Sequence, residues 1–339
     1  MFSIRHPSSV ICRPSSVICL LSSVLLLLAS CKPRTSPQAD QPLATESPAF
    51  SADSAYAFVA KQVSFGPRVP GSQAHGSCME WMVATLRNFG AEVMVQKGLA
   101  KIYDGTVLPV QNIIARFQPE KVNRILLMAH WDSRPFADQD SDPVKKDFPI
   151  AGANDGASGV GVLMEIARQL GQKPATLGID IILYDLEDYG VPAHKDIEWK
   201  ADSWCLGSQY WAHNPHIPGY FARYGILLDM VGAPDARFTQ EEVSRYYAKS
   251  VVDKVWNTAY QLGFGRYFPF DQTPQLIDDH RYVNEIIGIP SIDIIHQDPT
   301  TESSFPTTWH TQEDNMQHIS RETLGAVGKV VLAVVYVEK

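Results

Sequence analysis

Near-continuous apolar runs of strand length, each leading into an acid or a histidine, constrain this chain more than any other feature. Ile125-Leu-Leu-Met-Ala-His-Trp131 is followed by Asp132, and the run from Gly178 to Leu186 stops at the adjacent pair Glu187 and Asp188. Gly225–Val231 carries Asp229, and Ile289–Ile295 leads through a loop to Trp309-His310. Strands that are apolar on both faces belong in a sheet covered on both sides, as parallel α/β sheets are. Helical patterns alternate with these runs: Ser77–Phe89 before Gly90, Gly159–Leu170 before Gly171, Ser203–His213, Glu241–Leu262 before Gly263, and Arg321–Val337. Val107–Phe117 adds a further strand. No linker interrupts the alternation after about residue 51. The expected fold is therefore a single α/β domain with a central, mostly parallel mixed β-sheet flanked by helices. Sites in such folds lie at the carboxyl ends of the strands, where this chain has its acids and histidines.

With 45% hydrophobic and 19% charged residues, the chain has enough apolar material for a substantial core. Its net charge is −8 and it has no Lys/Arg cluster, which argues against nucleic acid as a partner. Residues 1–30 read as a secretory signal, with Arg5, His6 and Arg13 ahead of the apolar Val17–Leu28. That apolar stretch is short of the roughly 20 residues a membrane span needs. Leu28-Ala29-Ser30-Cys31 resembles the bacterial lipobox, which implies acylation of Cys31. The protein is thus expected in the bacterial cell envelope, lipid-anchored on the periplasmic or outer-membrane face. Residues 31–50 read as a flexible tether and 51–339 as the functional domain. Cys78 and Cys205 are expected as free, buried thiols. Nothing in the sequence sets an oligomeric state.

Neighbouring carboxylates in a sheltered place repel and cost desolvation energy. For Glu187 and Asp188 a divalent metal would offset this, with one carboxylate as ligand and the other free for proton transfer. A strand ending in solvent explains the pair equally well when it is taken alone. Five other clusters accompany it: His130-Trp-Asp132, Asn154–Gly159 opening a helix, Asp229, Asp278-Asp279-His280 and Trp309-His310-Thr311. Each has a structural explanation as a turn, a cap or loop packing. Six together at successive strand ends point to a metal site.

These residues carry a resemblance. Ala129-His-Trp-Asp-Ser133, Ala153-Asn-Asp-Gly-Ala-Ser-Gly159, Leu186-Glu-Asp188 and Trp309-His-Thr311 resemble the zinc aminopeptidase superfamily. Leu227-Leu-Asp-Met-Val-Gly-Ala-Pro234, Ile277-Asp-Asp-His280 and the Trp before His310 resemble, more narrowly, the glutaminyl cyclases, and Trp131-Asp-Ser-Arg-Pro-Phe-Ala-Asp-Gln139 and Leu186-Glu-Asp-Tyr-Gly190 resemble their bacterial form. The resemblance implies zinc held by Asp155, Asp188 and His310, with Glu187 as the proton-shuttling acid/base. Asp229 and Asp278 match carboxylates around the shuttle and the substrate amine, while Trp309 and Trp199 match aromatic residues of the substrate pocket. The implied reaction is cyclisation of N-terminal glutamine in peptides and proteins to pyroglutamate, with release of ammonia. Animal relatives have two glutamates where this chain has Glu-Asp, and Val191–Glu198 has no clear counterpart in them. Two other readings stand beside this one. In a two-zinc aminopeptidase, His130 and Asp229 would join Asp155, Asp188 and His310 as ligands and Glu187 would activate water. In a non-catalytic scaffold of the same fold, ligands are usually lost, and here all are present.

Overall fold

The computed structural model describes residues 47–339. The signal segment, Cys31 and the tether through residue 46 lie outside the described residues. A six-stranded sheet forms the centre, in the order β1-β2-β4-β3-β5-β8. Its strands are β1 (Glu92–Lys101), β2 (Val107–Phe117), β3 (Arg124–His130), β4 (Gly178–Tyr184), β5 (Gly225–Asp229) and β8 (Ser291–Ile295); β6 (Gln240–Glu241) and β7 (Gln272–Thr273) form a separate short pair. β1, β2 and β4 pair antiparallel, and β4, β3, β5 and β8 pair parallel, which gives the expected mixed sheet. Among the described residues no helix is long and apolar enough to cross a membrane.

Every residue of β3 and β4 is buried, and the side chains divide strictly by alternation. Ile125, Leu127, Ala129, Ile179, Ile181 and Leu183 enter the larger core, under α1 (Ala52–Val63), α2 (Gln73–Asn88), α3 (Ala157–Gln172), α5 (Glu242–Gln261) and α7 (Arg321–Val337). Leu126, Met128, Ile182 and Tyr184 face a smaller core built with Trp211 of α4 (Leu206–His213) and Val283. The acid within β4, Asp180, is buried. The Arg124 guanidinium pairs with both its oxygens at 2.6 Å, and the Tyr220 hydroxyl donates to it at 2.7 Å, so its charge is compensated.

Among the boundaries that differ from the sequence expectation, three have a plain local cause. Phe50, assigned to the tether, is buried in the larger core, so the domain starts before residue 51. α2 begins at Gln73 rather than Ser77, because Ser72 accepts from the His75 N–H and caps the helix. α4 begins at Leu206 rather than Ser203, since Cys205 stands in the left-handed region and breaks the helical path. Cys78 and Cys205 are free and buried, as expected.

Candidate active site

The carboxyl ends of β3, β4 and β5 converge, and the backbone turns sharply there. Of seven non-glycine residues with positive φ among those described, four surround this point: Leu186, Cys205, Met230 and His310. Such conformations are uncommon for side-chain-bearing residues and cluster where geometry serves function. Leu186 turns the backbone so that Glu187 and Asp188 follow β4, and Met230 does the same just after Asp229. Gly156, at φ +92, allows the turn before α3 to pass within reach of β3. A Cβ there would lie 2.3 Å from the Asp132 carbonyl oxygen.

Three buried carboxylates hold the neighbouring residues in place. Asp132 Oδ1 and Oδ2 accept the backbone N–H groups of Glu187 and Asp188 at 3.1 and 3.2 Å. Asp314 likewise accepts from the N–H groups of Asn154 and Asp155 at 2.7 and 3.0 Å. Asp138 lies 3.0 Å from His310 Nδ1, and the Arg134 guanidinium donates to its other oxygen at 2.6 Å. Arg134 is itself fully buried and also donates to the Asp188 carbonyl at 2.8 Å.

Asp155, Asp188 and His310 thereby present ligand atoms within 4.8 Å of one another, and His130, Asp155 and Asp229 do the same. His310 Nε2 lies 3.2 Å from Asp188 Oδ1 and 3.6 Å from Asp155 Oδ2; His130 Nε2 lies 3.0 Å from Asp155 Oδ1 and 3.3 Å from Asp229 Oδ1. Asp155 thus stands between the two groups with one oxygen toward each. The residues fit zinc. Neither buried oxygen of Asp188 has a well-formed hydrogen bond, and His310 keeps Nε2 for a ligand because Nδ1 faces Asp138. A carboxylate–imidazole donor set oriented by outer carboxylates is that of catalytic zinc.

Burial dominates the electrostatics. It raises the Glu187 pKa well above the usual range, reinforced by Asp188, Asp278 and Asp279 and opposed by His130. Burial, with Asp155 adding, brings Asp188 to about 6, and burial with Asp229 brings Asp278 to about 8. For His310 burial acts downward, but Asp188 and Asp138 outweigh it and carry the imidazole to about 9.

The cavity above has Asp155, Glu187, Asp188, Asp229 and Asp278 on its floor, all buried, and aromatic and aliphatic walls. Trp309 stacks on His310 with ring centroids 3.8 Å apart. Trp204 lies parallel to the same imidazole at 6.0 Å, with the Arg134 guanidinium over its ring. Trp199 stands at the mouth, 59% exposed. Every residue that the sequence reading assigned to zinc, proton transfer or pocket therefore lines this cavity. His130, of the two-zinc reading, lies just beneath. That reading gave no role to Asp132, Asp138, Asp314, Arg134, Trp204 or Cys205. Asp132, Arg134 and Asp138 lie inside motifs it used, and the others had no motif to mark them.

The chain belongs to peptidase family M28, whose match covers residues 112–335. It is 30% identical over 237 residues to the aminopeptidase YwaD of Bacillus subtilis, a match covering 67% of this chain and 44% of that protein. It is 26% identical over 251 residues to the glutaminyl-peptide cyclotransferase of Gloydius blomhoffii, covering 65% and 63% respectively. The chain thus spans less than two thirds of either relative. Among solved structures, the Bacteroides thetaiotaomicron glutaminyl cyclase bound to N-acetylhistamine is 50% identical, with a TM-score of 0.85, covering 86% of this chain and all of that one.

Outer carboxylates of this kind have a measurable effect. Replacing Asp314 with asparagine leaves one acceptor for two N–H groups and loosens Asp155. Zinc affinity, measured by chelator competition, is expected to fall by about 10- to 100-fold. Unchanged affinity would show that the clamp does not set the ligand.

Proposed function

We propose that the protein cyclises N-terminal glutamine of peptides and proteins to pyroglutamate, releasing ammonia, with one zinc held by Asp155, Asp188 and His310. The observation that carries this is the position of Asp278. It lies on the floor of the same cavity as Glu187, and ligand atoms of the two are within 4.8 Å. An acceptor beside the shuttle and outside both zinc groups suits a substrate's α-amine.

In this reading the glutamine side chain enters between Trp309 and Trp199, and Asp229 and Asp278 accept from the α-amine. The amine nitrogen attacks the δ-amide carbon of the same residue, so proximity is built into the substrate. Glu187 takes a proton from the attacking amine and passes it to the departing nitrogen; a C–N bond forms to close the ring, the original δ-amide C–N bond breaks, and ammonia leaves. Zinc, when bound, supplies Lewis-acid polarisation of the amide oxygen. Lipid attachment through Cys31 is part of the proposal and rests on the sequence alone.

The His130–Asp155–Asp229 group favours a second reading, a two-zinc aminopeptidase. One experiment separates the two. Purified protein is given a Gln-initiated peptide and aminoacyl chromogenic substrates, and its zinc is counted. The proposal expects loss of ammonia from the peptide, about one zinc per molecule, and loss of turnover on chelation. Release of the first residue with two zincs would establish the peptidase instead.

A further inference from the structure

The thiol of Cys205 lies 3.2 Å from Glu187 Oε1, and Cys205 is fully buried. Its backbone N–H donates to the Glu187 carbonyl oxygen at 2.9 Å, so the two residues meet at two points. Cys205 also adopts φ 55, ψ 35, a left-handed conformation that favours glycine. The backbone here would be easier to form without a side chain. What the cysteine adds at that position is a thiol aimed at the carboxylate. Burial, and then the charges of Glu187, Asp279 and Asp278, hold the thiol well above its ordinary pKa. It is therefore a neutral S–H, a donor, against a carboxylate that can only accept when ionised.

We propose that Cys205 is a positioning residue: its S–H donates to Oε1 of Glu187 and leaves Oε2 as the oxygen that carries the shuttled proton. Oε2 lies toward His130, 3.9 Å from its Nδ1. This rests on the assignment of Glu187 as the acid/base. Without the thiol, the Glu187 carboxylate keeps its place through its backbone but loses the contact that selects its rotation. The deficit falls on the proton-transfer step rather than on substrate binding. Cys205, Glu187 and Asp278 also offer atoms within 4.8 Å of one another. A metal at that point would require the thiolate and would remove Glu187 from proton transfer.

The test compares Cys205→Ala, Cys205→Gly and Cys205→Ser by steady-state kinetics on a Gln-initiated peptide, with zinc content and melting temperature recorded for each. Ala and Gly should lower kcat about tenfold with KM within about twofold, since a thiol is a weak donor. Ser, which restores a donor of similar reach, should recover most of the loss, and zinc content should not change in any variant. Glycine suits the left-handed backbone, so it tests the loss of the thiol even where alanine folds poorly. In a Glu187→Gln background, Cys205→Ala should lower residual turnover no further. Wild-type kcat in folded Ala and Gly variants would overturn the proposal, as would a Ser variant no better than Ala or a loss of bound zinc. Glu187→Gln measured alone keeps the two claims apart. Full turnover in that variant removes the acid/base assignment itself, whereas its inactivity beside fully active Cys205 variants removes only the role of the thiol.

Discussion

Glu187→Gln is expected to retain zinc and fold normally while losing about 10²- to 10⁴-fold in kcat on a Gln-initiated peptide. Glutamine has the size and hydrogen-bonding shape of glutamate but cannot take a proton from an amine. The ligands Asp155, Asp188 and His310 are untouched, and Asp132 still receives the N–H groups of residues 187 and 188. Burial and three neighbouring acids already disfavour the charge on Glu187, so neutralising it should not lower the melting temperature. Asp188→Asn is the contrasting change. It weakens a ligand, so zinc and turnover should fall together. The pattern, more than either number, tests the division of labour between two adjacent carboxylates. Comparable loss of zinc in both variants would mean that Glu187 is a ligand rather than the shuttle, and near-normal turnover of Glu187→Gln would end its catalytic assignment.

The parts of this molecule legible in its sequence are those where both faces of an element are buried. β3 and β4 could be read because hardly a polar residue interrupts them, and their ends could be read because acids there are conspicuous. β1 could not. It is an antiparallel edge strand with no fully buried residue, and Gln96, Lys97 and Gly98 separate Val93, Met94 and Val95 from Leu99, so no continuous apolar run marks it. α1 is hidden for a related reason: only Ala55, Val59 and Gln62 are buried along its 12 residues, too weak an apolar stripe to mark a helix. At the site, residues that offer a side chain to the cavity stand out, because metal and proton chemistry demand particular residue types. The residues that hold them do not. Asp132 and Asp314 act on backbone N–H groups, which nearly every residue has, so no partner in the sequence betrays them. Cys205 and Trp204 reach the site from the segment that leads into α4, after an intervening loop, a closeness that only the fold creates.

The same buried acids predict how the protein responds to losing its metal. In the zinc-free protein, burial places Asp278 at about 8 and both Asp279 and Asp314 at about 7, whereas their ordinary value is 3.8. His310 stands at about 9 against 6.5. All four folded values are raised, so the fold holds protons that the unfolded polypeptide has already released: the aspartates above about pH 4, the histidine above about 6.5. Their contribution to stability is fully present at low pH and is lost as pH rises through the folded values. His216 and His296, lowered to about 4 chiefly by burial, act only below about pH 6.5 and do not oppose this. Between about pH 6.5 and 9 the zinc-free protein should therefore lose stability, by about 1.4 kcal/mol per pH unit for each net proton. Zinc should raise stability and remove His310's share of the slope, because it binds that ligand deprotonated, while Asp278, Asp279 and Asp314 lie outside the ligand set. At a free concentration about 1,000 times its dissociation constant it should add about 4 kcal/mol. Urea unfolding at about pH 6.5 and 8.5, with chelator and with zinc, measures all of this. A chelated protein equally stable at both values, or more stable at the higher one, would mean that these carboxyls are ionised in the fold and compensated by charges other than protons.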